Sequence, residues 1–240
     1  MKNRLLFILV ALLAVSGFAE TQGTLVDKRD GKKYKTVKIG DQTWMAENLN
    51  YEVQDSYCYN DDESNCKKHG RLYSWKAARY ACPVGWHLPG NIDFKTLYES
   101  AGGKQVAGKK LKNKEGWNNN GNGTDDFGFS ALSAGAKDNS GRYIVEGYLT
   151  LFWGSMEKDC DKAFGLLLNF GADSVNLESG SKDFRWSVRC IKDETVVPAT
   201  EVTVDSVTDS RDGQTYKTLK IGTQTWMAKN LNYKADSSFC

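Results

Sequence analysis

The feature that most constrains this chain is an internal repeat. The text from Asp27 to Tyr51 recurs as Asp209 to Tyr233 at an offset of 182, with 19 of 25 positions identical. The shared pattern is D-x-R-D-G-x-x-Y-K-T-x-K-I-G-x-Q-T-W-M-A-x-N-L-N-Y. The same offset carries Cys58 onto Cys240, so the second copy comprises only residues 209–240. Units below about 40 residues rarely bury a core without disulfides or metals. The expectation is therefore one complete domain at 24–192, a linker at 193–208, and at 209–240 the truncated start of a second copy, a piece of a tandem-domain protein. The linker is rich in Val, Thr and acidic residues with one Pro and no aromatic, which reads as extended chain.

Residues 1–19 read as a signal peptide, with basic Lys2 and Arg4, an apolar run from Leu5 to Val15, and small Gly17 and Ala19 before the cleavage point. An eleven-residue apolar run is short of the roughly 20 residues a spanning helix needs. No Cys follows Ala19, so no lipid anchor is indicated, and no other segment is long and apolar enough to span. The expected location is outside the cytoplasm, periplasmic or extracellular. There the cysteines at 58, 66, 82, 160, 190 and 240 are candidates for disulfides. Zinc held by Cys58, Cys66, His69 and His87 is the competing reading, but their spacing matches no closed tetrahedral pattern.

Charge excludes one class of partner. The chain carries 32 basic and 30 acidic residues, so nothing in its bulk charge favours nucleic acid or an anionic membrane. With 23 Gly, 3 Pro and 28 aromatic residues, the composition suits a loop-rich domain containing strands better than a helix bundle.

Local patterns fill in the elements. Tyr34–Ile39 and Gln42–Leu49 read as strands joined by Gly40-Asp41, a two-residue type II′ hairpin loop. Ser74 is the expected cap of a helix with Trp75, Ala78 and Cys82 on one face, stopped by Pro83. Asn91 is the expected cap of a second helix carrying Phe94, Leu97, Tyr98 and Ala101, ended by Gly102-Gly103. A polar loop at 112–126 precedes expected strands at 127–132, 143–146, 148–153, 163–170 and 184–191. Two helices followed by short antiparallel strands predict an α+β fold.

Residues 73–89, Y-S-W-K-A-A-R-Y-A-C-P-V-G-W-H-L-P, resemble the first-helix signature of C-type-lectin-like domains. More closely, residues 27–192 resemble the Fibrobacter succinogenes major paralogous domain, a family of secreted bacterial modules often found in tandem. The text carrying this is D-G-K-K-Y-K-T-V-K-I-G-D-Q-T-W-M-A-E-N-L-N-Y, C-P-V-G-W-H-L-P, A-G-K-K-L-K, G-N-G-T-D-D-F-G-F-S-A-L, F-W-G-S and S-V-R-C-I. The resemblance implies a disulfide-tied C-type-lectin-like fold without an activity. His87-Leu88-Pro89 through Asp93-Phe94 is also similar to an element of sulfatase-modifying and formylglycine-generating proteins, but no copper-binding cysteine pair stands in a matching context, so that likeness concerns fold alone. The resemblance, with the spacing, implies bridges Cys82–Cys190 and Cys58–Cys66, leaving Cys160 and Cys240 unpaired.

Candidate chemistry is sparse. No nucleophile, base and acid assemble in the text, and both histidines read as packed, hydrogen-bonded structural residues, so an enzyme is not expected. Trp117 and Trp153 could offer flat rings to sugar faces, with Asn120, Asp126 and Arg142 as polar partners; Trp117 is the best candidate for exposure. Trp44, Trp75, Trp86 and Trp186 read as core. Asn120, Asn122, Asp125 and Asp126 group the oxygen ligands that calcium accepts, or they close their own tight turns. The sugar-and-calcium motifs of sugar-binding C-type lectins are absent. The expected function is a secreted, non-catalytic binding module for polysaccharide or cell-surface glycan. The alternatives are an enzyme of the formylglycine-generating type and a structural spacer.

Overall fold

A computed structural model describes residues 22–194, 204–221 and 224–234. The expected signal peptide at 1–19, most of the expected linker, and Cys240 lie outside the described residues. The chain divides into two compact units, one ending at Asp193 and the other beginning at Glu194.

In the first unit, β1 (Gln22–Val26), β2 (Lys33–Ile39), β3 (Gln42–Met45) and β4 (Ser56–Tyr57) lead into α1 (Glu63–His69), β5 (Leu72–Ser74) and α2 (Trp75–Ala78). There follow β6 (Trp86–His87), α3 (Asn91–Ser100), α4 (Lys104–Leu111), β7 (Ala136–Lys137), β8 (Tyr143–Ile144) and β9 (Leu149–Glu157). The unit closes with β10 (Lys162–Asn169), β11 (Asn176–Ser181), β12 (Arg185–Ser187) and β13 (Ile191–Lys192). This is a mixed α+β architecture with few helices and two sheets.

The smaller sheet has the order β1-β2-β3-β13-β6; the larger runs β11-β10-β9-β12-β5-β4 with β7 and β8 attached. Strand pairing is antiparallel except where Ser187 of β12 lies opposite Phe152 of β9, and isolated parallel bridges join Lys112 to Ala131 and Gly135 to Thr150. The β2–β3 hairpin forms as its text predicts, with Ile39 opposite Gln42 and Val37 opposite Trp44. Positive φ at Gly40, and not at Asp41, is what a type II′ turn requires.

Successive side chains of a strand face opposite ways, and this hairpin feeds two cores. Val37, Ile39 and Trp44 join Phe94, Leu97, Leu111, Phe129 and Phe152 in one. Tyr34, Met45 and Leu49 join Tyr73, Trp153, Trp186 and Val188 in the other. The final strand region divides between the sheets: β12 belongs to the larger, β13 to the smaller. Between them, Met45 N–H donates to Cys190 O (3.0 Å) and Leu49 N–H to Val188 O (2.9 Å). Cys82–Cys190 and Cys58–Cys66 are both disulfides, so zinc has no thiolate there. Cys160 is an exposed free thiol.

Several elements differ from expectation. Ser74 does cap α2, accepting from Ala77 N–H, but the helix ends at Ala78 and a turn carries the chain on to Cys82. Gly90, not Asn91, is the cap of α3; its N–H donates to the Asp93 carboxylate at 2.7 Å. α1 and α4 were not expected. Residues 127–132 form only an isolated bridge at Ala131: Ser130 has a positive φ, and Arg189 inside the core takes the Phe129 and Ser130 carbonyls. The expected strand at 184–191 is two short strands, β12 and β13.

In the second unit, β14 (Val204–Thr208), β15 (Thr215–Ile221) and β16 (Gln224–Met227) form a three-stranded antiparallel sheet. Its hairpin keeps the register of the first copy, with Leu219 opposite Trp226. The Asp27–Arg29–Tyr51 cluster also recurs: the guanidinium lies over the tyrosine ring at 3.7 Å for Arg29 and Tyr51 and at 3.8 Å for Arg211 and Tyr233.

Candidate functional site

The site is an open groove of about 610 Å³ between β2, the end of α1, and the loops following α4. Its construction begins with Asn48. That side chain is buried and fully used: Nδ2 donates to His69 O (2.8 Å) and Ser187 Oγ (3.3 Å), and Oδ1 accepts from Arg189 Nε (2.8 Å). It thereby joins the hairpin, the end of α1 and the last strands into one floor.

Gly70 makes this junction fit. Its φ is +73°, and a Cβ there would fall 2.6 Å from Asn48 Cβ and 2.8 Å from the Asn48 and Leu49 carbonyls. Only glycine allows the chain leaving α1 to approach so closely. The Cys58–Cys66 bridge pins the same helix from its other side, and Asp62 caps its start by accepting from Ser64 N–H.

Beneath the floor, Arg189 is fully buried, and among the described residues no carboxylate lies within ion-pair distance of it. It donates instead to Asn48 Oδ1 and to the carbonyls of Phe129 and Ser130, and lies over the Phe129 and Phe152 rings at 4.4 and 5.1 Å. Burial disfavours its charged form and pulls its pKa down to about 9, against the pull of Asp125 and Glu47. It remains a cation at neutral pH.

The walls are basic and polar. Lys32, Lys33, Lys35, Lys67, Lys68 and Lys114 line the groove, against two carboxylates, Glu47 and Asp125. Both acids are engaged locally: Glu47 accepts from Lys35 N–H at 2.6 Å, and Asp125 accepts from Ser130 N–H and Oγ–H. Gln22, Asn50, Asn113 and Ser130 add amide and hydroxyl groups.

The residues singled out from sequence do not converge. Trp117 is 4% exposed, and its indole N–H donates to Ala131 O, so the expectation that it faces solvent is corrected. Trp153 is fully buried, stacked on Trp186 at 3.7 Å, and cannot meet a sugar. Trp44, Trp75 and Trp186 are core as expected, while Trp86 is half-buried. Arg142 is exposed but pairs with Asp138 in its own turn. Asn120 and Asp126 are exposed loop positions.

Two of the four candidate calcium ligands, Asn122 and Asp125, are committed to turns. Asn122 Oδ1 accepts from Trp117 N–H, Asp125 serves Ser130, and Lys109 Nζ donates to Asn122 O at 2.9 Å. Lys112 Nζ binds the Asn169 and Ala172 carbonyls at 3.0 Å each. Lys109 thus already holds one carbonyl oxygen of this loop, and among the described residues its acids join no cluster of three metal-type ligands. Among the described residues one metal-type cluster assembles, Cys58, Glu63 and Cys66, and its two sulfurs form a disulfide.

The histidines differ from each other. His69 is buried, with Nε2 2.9 Å from Glu146 Oε1; burial, helped by the Lys68 cation, lowers its pKa below the ordinary value despite the Glu146 carboxylate. His87 is not packed, as was expected, but exposed on the edge strand β6, with Nδ1 2.7 Å from Asp193 Oδ1. Among the described residues neither imidazole has a hydroxyl or thiol as hydrogen-bond partner.

Sequence reasoning missed the groove lysines. A signal was present in the repeat itself: Lys32 and Lys33 become Gln214 and Thr215 in the second copy, whose hairpin keeps the same register, so the hairpin fold does not demand them. Comparison with known families matches residues 37–192 to the Fibrobacter succinogenes major domain. No curated protein and no solved structure matches the chain.

Proposed function

Because the chain belongs to the Fibrobacter succinogenes major domain family, a name that carries no activity, we propose that it is a secreted, non-catalytic module that binds carbohydrate in surface attachment or polysaccharide handling. The observation carrying this is the groove: open, polar, and walled by amide, hydroxyl and ammonium groups fixed on a disulfide-tied frame. Loops on a rigid scaffold are suited to recognition. A C-type-lectin-like scaffold is part of the proposal, supported by the amino-terminal hairpin meeting the last strand at Trp44 and Ile191 and by the bridge from Cys82 to Cys190.

Two disulfides support an oxidising location outside the cytoplasm. No helix among the described residues is long and apolar enough to cross a membrane. An enzyme of the formylglycine-generating type would need a redox cysteine pair; among the described residues the free thiol is Cys160, exposed beyond the end of β9.

The test is binding of the oxidised full chain to an array of plant and bacterial polysaccharides, in calcium and in EDTA. Binding retained in EDTA is expected, since the Asn122 and Asp125 side chains are already engaged in turns. Absence of binding in both conditions would replace this reading with that of a structural spacer.

A further inference from the structure

We propose that the groove selects acidic polysaccharides, chains whose sugars carry carboxylate or sulfate groups; this rests on the carbohydrate-binding reading above. The first support is unspent charge. Among the described residues, Lys33, Lys35, Lys67 and Lys114 form no ion pair, and Lys68 reaches Glu146 only at 4.0 Å. Lys32 is paired with Asp30 at 2.9 Å, and the two groove acids are held by neighbouring backbone and hydroxyl donors. The wall is therefore cationic although the chain as a whole is nearly neutral.

The second support is placement. Lys33 and Lys35 are exposed on one face of β2, two residues apart, which at about 3.3 Å per residue sets their Cα atoms roughly 6.6 Å apart. Lys67 and Lys68 close the last turn of α1, fixed by Cys58–Cys66 and by the Gly70 contact with Asn48. Lys114 arrives from the loop after α4. Three elements separated in sequence thus bring lysines to the lining of one cleft, and buried Arg189 adds a cation beneath it. In a region partly shielded from water such charges act more strongly on an anion than the same charges on an open surface.

The third support is chemical. Of the groove lining, Tyr34 is the single aromatic residue and it is buried, so there is no platform for stacking. Nucleic-acid bases bind grooves through such platforms, and neutral sugars are commonly gripped in the same way. Ammonium groups with amides and hydroxyls between them suit a chain of alternating anions and hydroxyls.

The experiment uses the oxidised full chain and measures dissociation constants by calorimetry for polygalacturonate, heparin, neutral xyloglucan and a single-stranded oligonucleotide. One variant carries Lys33→Gln, Lys35→Gln, Lys67→Gln and Lys68→Gln. A control carries the same change at Lys76, Lys95, Lys104 and Lys162, all exposed and outside the groove. The expected result is that polygalacturonate or heparin binds at least about tenfold more weakly to the groove variant, with a shallower salt dependence, while the control changes less than about threefold. Equal losses in both variants, or tighter binding of the oligonucleotide than of either acidic glycan, would overturn the proposal. Binding of xyloglucan alone, unaffected by the lysine changes, would also overturn it while leaving the carbohydrate reading standing; binding of none of the glycans would remove both.

Discussion

His69 carries a pH dependence into the base of the groove. It closes α1, is 5% exposed, and has a buried Nδ1 with no hydrogen-bond partner among the described residues. Its folded pKa lies below the ordinary 6.5 because burial opposes the imidazolium. The unfolded chain therefore binds more protons than the folded one as pH falls through that value, and linkage makes folding less stable on the acid side. The stabilisation is present above about pH 6.5 and is lost below it, with a slope no steeper than about 1.4 kcal/mol per pH unit. Urea unfolding at pH 7.5, 6.5 and 5.5 should show this loss in the native chain and a flatter profile in His69→Gln. Equal slopes in the two proteins would assign the acid sensitivity to other groups.

Among the elements, the aromatic stack of the larger sheet depends on absent side chains. Trp186 lies 3.7 Å from Trp153 and passes over β11, where a Cβ on Gly180 would fall 2.3 Å from its Cζ2 and 2.5 Å from its Cη2. Gly180→Ala should push the indole from its place and cost about 1–3 kcal/mol by overpacking, read as a lowered unfolding midpoint and a changed near-ultraviolet circular dichroism signal. An unchanged spectrum and midpoint would mean the ring has room to move. The same dependence on distant partners explains what the text discloses. The β2–β3 hairpin and α3 are legible because their apolar spacing and stop signals are local. α4 is obscured by Gly108, which lowers helix propensity but sits where a Cβ would be 2.4 Å from Ser174 O. Residues 127–132 alternate like a strand, yet the Phe129 and Ser130 carbonyls are satisfied by Arg189, some 60 residues away in sequence. Trp117 looks exposed beside polar neighbours because nothing local reveals that Ala131 O receives its N–H. The groove is hidden for the same reason: its lysines come from three separate segments and meet only in the folded chain.

For the whole molecule, the two disulfides have separable duties. Cys82–Cys190 spans 108 residues and links the chain beyond α2 to the junction where the final strands pass from one sheet to the other. Cys58–Cys66 spans 8 residues and holds α1 alone. Closing a loop of roughly 100 residues restricts the unfolded chain by about 4.7 kcal/mol in the entropy model, and the short loop by about 2.6 kcal/mol. Replacing Cys82 and Cys190 together by Ser should therefore lower unfolding stability by about 2–5 kcal/mol and speed hydrogen exchange throughout both cores. Replacing Cys58 and Cys66 together by Ser should cost less, with faster exchange concentrated in α1. Because α1 delivers Lys67 and Lys68, the short-bridge variant should also bind acidic glycan more weakly at a temperature where its cores remain protected. Loss of core protection in the short-bridge variant, equal to that in the long-bridge variant, would show that α1 is part of the cooperative core; undiminished glycan affinity with α1 exchanging freely would show that its lysines need no fixed frame.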